Sequence, residues 1–293
     1  MLRSTRNGPM LVRMPGAPLT VRRPNFDYPD DLRVAWNPRN QEFAYAANSV
    51  SLLMPYAEPY FVRSVRAAIP ELEGDLAARA TDFVQQESQH HRQHRRFNDL
   101  VVAQVPALRP IERGMKRAYG WLGRTRSLRF NLAFAAASET IAFTLARWAE
   151  DHLSAFFEGA DQAAATMFLW HLAEEVEHKT VAFDVFETLG GSRLRYARAM
   201  ITSFVLASAF IIPSILVMMA HDRRIFSPVA WFRLVKLALS FVFELLPNMA
   251  ASCLPGHHPS KFTDPTWLTS WLQTFDPATG TMPEWSLGEL LAS

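Results

Sequence analysis

Residues 170–179 read WHLAEEVEHK, a stretch in which a carboxylate, Glu175, stands three positions before an imidazole, His178. Because a helix turns about 100° per residue, positions i and i+3 share one helix face and can reach one metal ion. The same Glu-x-x-His spacing recurs at Glu87 and His90. A bundle that holds two metal ions combines two such pairs with one Glu from each of two further helices. The sequence therefore predicts an all-α fold built on a four-helix bundle with a dinuclear metal centre.

Two single carboxylates, Glu58 and Glu139, stand where the further helices would each contribute one Glu. Glu139 lies within an apolar run at 134–145, where a carboxylate is costly unless it is paired or binds a metal. Glu58 is followed directly by a proline, so Glu71 or Glu73 could take its place. The chain between Glu87 and Glu139 leaves room for the long crossover that joins the halves of a ferritin-like bundle.

Further histidines and acids surround these predicted ligands. His171 precedes the Glu of the second motif by four positions on the same helical stripe, so it could be a seventh ligand. His94 lies one turn past His90 and could either orient a ligand or face the substrate. Glu174 and Asp184 are candidates for the carboxylates that commonly accept a hydrogen bond from a ligating imidazole and fix its tautomer.

The ligand types indicate the metal. A shell of carboxylates and imidazoles suits iron or manganese better than copper or a closed thiolate zinc site. The single cysteine, Cys253, is far from the ligands in sequence and cannot form an internal disulfide. We therefore expect two iron ions, with manganese or zinc as alternatives, in a protein of the reducing cytoplasm.

The stretches 86–90 (QESQH), 170–179 and 182–184 (AFD) resemble a bacterial family described as predicted metal-dependent hydrolases. The order of ligands also resembles that of the di-iron N-oxygenases that oxidise aryl amines, which have a His four residues before the last Glu-x-x-His. Both resemblances imply a ferritin-like dimetal fold. The second implies seven metal ligands, namely Glu58, Glu87, His90, Glu139, His171, Glu175 and His178.

By composition the chain divides into four segments. They are a basic irregular arm at 1–42, the dimetal bundle at 43–192, an apolar helical hairpin at 193–256 and a loop-rich tail at 257–293. The arginines of the arm lack the aromatic interleaving of a nucleic-acid interface, and the net charge of the chain is only +2. We therefore expect no nucleic-acid partner and interpret these arginines as surface contacts or as attraction to anionic lipid.

The apolar hairpin admits two interpretations. Residues 199–220 form an uncharged run long enough to span a bilayer, with arginines on both sides. Residues 230–254 are apolar but interrupted by charges, which is typical of an interfacial or packing helix. Either the hairpin contacts the inner membrane, or both helices cover the bundle or form the interface of a homodimer.

Three functions fit the pattern. The main hypothesis is a di-iron oxidase or oxygenase, which would take O2, an external electron donor and a hydrophobic small molecule. Its substrate would be enclosed by aromatic residues, namely Phe134, Phe143, Phe168 and Phe183. The alternative is a dimetal hydrolase that uses a metal-activated water, with His94 or Glu174 as a base. The third is a metal-binding bundle without catalytic activity.

Overall fold

The computed structural model describes residues 19–285, and every regular element within that range is a helix. An isolated β-bridge joins Asp276 and Thr281. The helices are α1 Gln41–Ala68, α2 Gly74–Gln104, α3 Arg109–Thr125, α4 Leu128–Asp151, α5 Leu153–Phe157, α6 Gln162–His178, α7 Val181–Thr188, α8 Arg193–His221, α9 Pro228–Ser240, α10 Leu246–Ser252 and α11 Thr266–Leu272. The predicted all-α class is confirmed. Residues 1–18 of the predicted arm and 286–293 of the predicted tail lie outside the described residues.

The four helices that carry the predicted ligands are α1, α2, α4 and α6, and they pack on one another. Helix α1 lies along α2 and also contacts α4, while α6 contacts both α2 and α4. Side-chain caps fix three of their starts, because Asn40, Ser127 and Asp161 each accept a hydrogen bond from a backbone N–H of the first turn. The ferritin-like arrangement of these four helices stays a prediction.

Helix α1 differs from the sequence expectation, which began it near residue 50 and treated two prolines as a disturbance at its start. The helix begins at Gln41, and both Pro55 and Pro59 lie inside it. A proline has no N–H to donate to the carbonyl four residues earlier. The carbonyl of Ser51 instead accepts a hydrogen bond of 2.8 Å from Asn98 of α2, so a side chain satisfies the acceptor that Pro55 leaves free.

The predicted fourth helix, 161–189, is also divided. It ends as α6 at His178, turns at 179–180, and continues as the short helix α7. Lys179 at this turn is buried, and its ammonium contacts the Phe262 carbonyl and the Asp264 carboxylate of the C-terminal segment. The predicted crossover between the two halves is itself helical and contains α3.

The outer helices lie on this assembly. Helix α8 packs on α1, α3 and α4, and α9 contacts α1. One π-helical turn, Phe241–Leu245, joins α9 to α10. Buried residues from every predicted segment that the structure describes, for example Trp36, Trp271 and Trp285, belong to one continuous core. The division of the chain into four domains or segments stays a prediction.

Candidate metal centre

The seven residues predicted as ligands are all buried, and six of them supply atoms to two adjacent groups. In the first group, ligand atoms of Glu87, His90, Glu175 and His178 all lie within 4.8 Å of one another. In the second, Glu58, His94 and His171 meet the same limit. The groups adjoin because His171 Nε2 of the second lies 2.7 Å from Glu175 Oε1 of the first.

Glu87 occupies the centre of the first group. Its Oε1 lies 3.5 Å from Nδ1 of His90 and 3.4 Å from Nε2 of His178. Glu175 faces the same two rings, with its Oε1 at 3.5 Å from His90 and 3.9 Å from His178. Two carboxylates from different helices thus face two imidazoles. This arrangement follows from the i,i+3 spacing on α2 and α6.

The two groups contain an excess of buried lone pairs. Among the described residues, seven of their buried atoms have no hydrogen-bond partner, namely both side-chain oxygens of Glu58 and of Glu87, Oε2 of Glu175, Nδ1 of His90 and Nε2 of His178. A buried polar atom without a partner costs about 1–3 kcal/mol, and more if it is charged. Carboxylate oxygens and imidazole nitrogens are ligands for iron, manganese and zinc, so the residues present fit bound metal ions.

Each ring of the first group is held on its far side by a carboxylate. His90 Nε2 lies 2.9 Å from Glu174 Oε2, and His178 Nδ1 lies 2.8 Å from Glu139 Oε2. Such carboxylates fix the tautomer of a ligating imidazole and raise its basicity. Glu174 therefore contacts the ring of a predicted ligand, and the role expected of it stays a prediction. Glu139 likewise contacts the ring of a predicted ligand, and its own assignment as a direct ligand stays a prediction.

Arg22 supports Glu174 from outside, which the sequence did not indicate. Its guanidinium is buried and lies 3.2 Å from Glu174 Oε1 and 2.9 Å from Glu177 Oε2. The interpretation of the arm's arginines as surface or lipid contacts is therefore wrong for Arg22. Its partner Glu174 is 152 residues away in the chain, and no local pattern marks the pair.

The second group is organised by a chain of hydrogen bonds whose direction can be derived. Asn98 donates through Nδ2 to the Ser51 carbonyl, so its Oδ1 is free to accept from the Ser51 hydroxyl at 2.6 Å. Because the hydroxyl donates its only hydrogen to Asn98, it must accept the hydrogen bond of 2.7 Å from Nδ1–H of His94. We call Asn98, Ser51 and His94 the buried relay.

The relay determines which ring nitrogen of His171 is unprotonated. Burial and the neighbouring His171 hold the pKa of His94 well below its ordinary value, so His94 is neutral and its Nε2 carries a lone pair. That lone pair accepts at 2.6 Å from Nδ1–H of His171. Burial and His90 also lower the pKa of His171, so its Nε2 is unprotonated. This nitrogen faces Glu175 Oε1 at 2.7 Å and Glu58 Oε1 at 3.5 Å, and a shared cation would satisfy all three acceptors.

The comparisons with known proteins agree with this geometry. A family model described as "predicted metal-dependent hydrolase" matches residues 20–262. The chain belongs to this family. No curated protein and no solved structure matches the chain significantly. The family therefore supports metal dependence and an enzymatic role, while the identity of the metal is not part of its description.

The protonation of the carboxylates in this family member depends on their surroundings. Burial raises the pKa of Glu58 well above its ordinary value, and the charge of Glu87 adds to the rise. Burial and Glu175 do the same to Glu139. Burial also opposes ionisation of Glu175, but the neighbouring imidazoles, above all His178, outweigh it and lower its pKa to about 2. Without cations, the site therefore retains protons on some carboxylates and charge on others.

One expectation for the surroundings does not match the described contacts. Asp184 does not contact a predicted ligand in the described contacts. Its carboxylate accepts from Arg79 at 3.1 Å and lies 2.9 Å from His258 Nε2. The four aromatic residues predicted to enclose a substrate are buried, and among them the Phe168 ring lies 6.0 Å from that of His94; their role around a substrate stays a prediction. A surface cavity of about 540 Å³ lies elsewhere, and its lining includes Arg39, Glu150 and Glu158 but none of the predicted ligands.

Proposed function

We propose that the protein is a metal-dependent hydrolase with a dinuclear centre. The observation that carries this proposal is the pair of adjacent buried groups whose carboxylate oxygens and imidazole nitrogens lack partners. Two groups that share a boundary at Glu175 suit two ions better than one. The family description supports hydrolysis over the oxidase or oxygenase that the ligand order alone suggested.

The residues of the centre would have different roles. Two bound divalent cations would supply Lewis acidity and a water that ionises near neutral pH. Glu87, Glu175, His90 and His178 would hold one region of the centre, and Glu58 and His171 the adjoining region. Glu174 and Glu139 keep the two rings of the first group in one tautomer. Buried aromatic rings such as Phe83, 5.1 Å from the His178 ring, exclude bulk water.

Glu58 is the group best placed to move a proton. Both its oxygens lack a hydrogen-bond partner, so one could hold a cation while the other accepts a proton. His94, which the sequence suggested as a base, is engaged at both nitrogens by Ser51 and His171. We therefore assign His94 to positioning and Glu58 to proton transfer from a water molecule in the site.

The test is turnover without oxygen. The metal-free protein is loaded separately with zinc, manganese or iron and assayed anaerobically on panels of carboxylic esters, amides and phosphoesters. We expect hydrolysis with at least one metal, and a loss of at least about 100-fold in Glu87→Gln because a central ligand is gone. Glu187→Gln is the matched control, since Glu187 is an exposed carboxylate that pairs with Arg193 on the surface. No turnover with any metal would refute the proposal.

A second candidate is an O2-activating di-iron oxidase or oxygenase. The observation that favours it is the bare Nε2 of His171, which faces Glu175 and Glu58 where the resemblance to the N-oxygenases implies a third imidazole ligand. Its O2, its electron donor and its hydrophobic substrate would come from outside the chain. About two irons per chain and an O2-dependent absorbance change after anaerobic reduction would support it. Bound metal with neither reaction would instead indicate a non-catalytic bundle.

A further inference from the structure

The outer helices expose an unusual amount of apolar surface. We define the outer apolar face by six side chains, which are Ile201, Val205 and Ile212 of α8, Phe232 and Leu239 of α9, and Phe243 of the π-helical turn. Phe232 is 72% exposed and Phe243 is 73% exposed. Large contiguous apolar surfaces on a protein mark sites for a partner or a membrane.

Helix α8 explains why the face exists. It is long and apolar enough to cross a membrane, but only 22% of its most apolar window is buried inside the protein. Tyr196, Ser203 and Met218 are among the residues of its buried stripe. A helix that is apolar on all sides is normally buried on all sides, but the described part of the chain packs against only one side of α8. Helix α9 likewise buries only Ala230.

The charges around the face identify the kind of cover. Residues 193–245, from the start of α8 to the end of the π-helical turn, contain seven Arg or Lys and two acids, Asp222 and Glu244, whereas the net charge of the whole chain is only +2. Arg198, Arg223 and Lys236 of this segment are exposed. An apolar helix surface with cations beside it is the pattern of interfacial segments that bind anionic lipid.

We propose that the outer apolar face docks on an anionic lipid bilayer, with α8 lying in the plane of the interface. Spanning does not fit, because both ends of α8 are bonded to the bundle. Near its start the Tyr196 hydroxyl lies 2.8 Å from that of Thr140, and just past its end Asp222 accepts from Tyr45 at 2.6 Å. A second copy of the chain fits less well, since a two-fold contact would place these cations near one another.

The test uses the full-length protein and vesicle flotation. The vesicles are phosphatidylcholine, alone or mixed with phosphatidylglycerol, at low and high salt. We expect flotation with the anionic vesicles that weakens with salt, and at least about tenfold less binding by the double variant Phe232→Ser with Phe243→Ser. Lys236→Glu should also weaken binding. Arg66→Glu is the matched control, because it makes the same charge change at an exposed position on α1.

Circular dichroism and thermal melting confirm that each variant is folded before its binding is measured. Absence of wild-type flotation on anionic vesicles would overturn the proposal. If the protein were also a dimer by light scattering, and Phe232→Ser made it monomeric, a second copy would be the occupant. Equal weakening by Lys236→Glu and Arg66→Glu would also contradict a specific face, since net charge alone would then explain binding.

Discussion

The candidate metal centre and the outer apolar face break the usual distribution of residues in opposite ways. The centre buries four carboxylates, at Glu58, Glu87, Glu139 and Glu175, in the interior of the protein. The face leaves aromatic and branched aliphatic side chains in contact with solvent. Folding would ordinarily place each set in the other environment. Burying the carboxylates and exposing the apolar side chains therefore both cost free energy in the isolated chain. A bound cation would remove the first cost, and an apolar phase would remove the second.

The largest effect should come from removing metal, which leaves the centre with its charge uncompensated. In the stripped protein, the raised pKa values of Glu58, Glu139 and His90 mean that the folded state retains protons that the unfolded state releases. Stability from these groups is therefore lost as pH rises. His94 and His171 have lowered pKa values and act in the opposite direction, but only below about pH 6.5.

The stabilisation by bound metal should instead increase as pH rises, because protons compete with metal for the same ligands and this competition weakens. We therefore expect the difference in Tm between loaded and stripped protein to grow by at least about 4 °C between about pH 6.5 and 8.5. Scanning calorimetry of both forms measures it, and surface groups cancel in the difference. A difference that stays constant or shrinks would contradict a carboxylate-rich metal site.

A smaller effect tests whether the relay belongs to the centre. Ser51→Ala removes the acceptor that fixes the tautomer of His94, and through it that of His171. We expect about 10- to 100-fold weaker metal binding, the typical cost of losing a group that orients a ligand. Ser64→Ala is the control, since Ser64 is also buried on α1 but donates only to the Tyr60 carbonyl. Competition against a chelator measures both. Equal affinities in the two variants would mean that the relay is structural.

These regions also differ in how far the sequence predicted them. The ligand groups on α2 and α6 were predictable because i,i+3 spacing is a local property of a helix. The apolar context of Glu139 predicted its burial, but not its position against His178 Nδ1. Asp184 stands near the motif in sequence, and the turn at 179–180 carries it to Arg79 instead.

The supporting contacts were harder to predict because they join distant segments. Arg22 reaches Glu174 across 152 residues, and Ser51 reaches Asn98 across 47. The role of Pro55 could have been derived in part, since a proline inside a helix always frees a carbonyl one turn earlier. Which side chain would satisfy that carbonyl depends on the packing of α1 on α2, and no local pattern encodes it. The exposure of α8 could not be predicted either, because an apolar helix has the same sequence pattern whether or not other helices cover it.

The smallest expected effect is on the face. Phe232 is 72% exposed in the folded protein, so its removal from water contributes little to folding. Phe232→Ser should therefore change the free energy of unfolding by no more than about 0.5 kcal/mol. Phe83→Ala, in the fully buried contact with His178, should cost about 3–5 kcal/mol. Urea denaturation of both variants, without lipid, measures the contrast. If Phe232→Ser cost more than about 2 kcal/mol, the side chain would already be covered in solution, and the face would be an interface between copies of the chain.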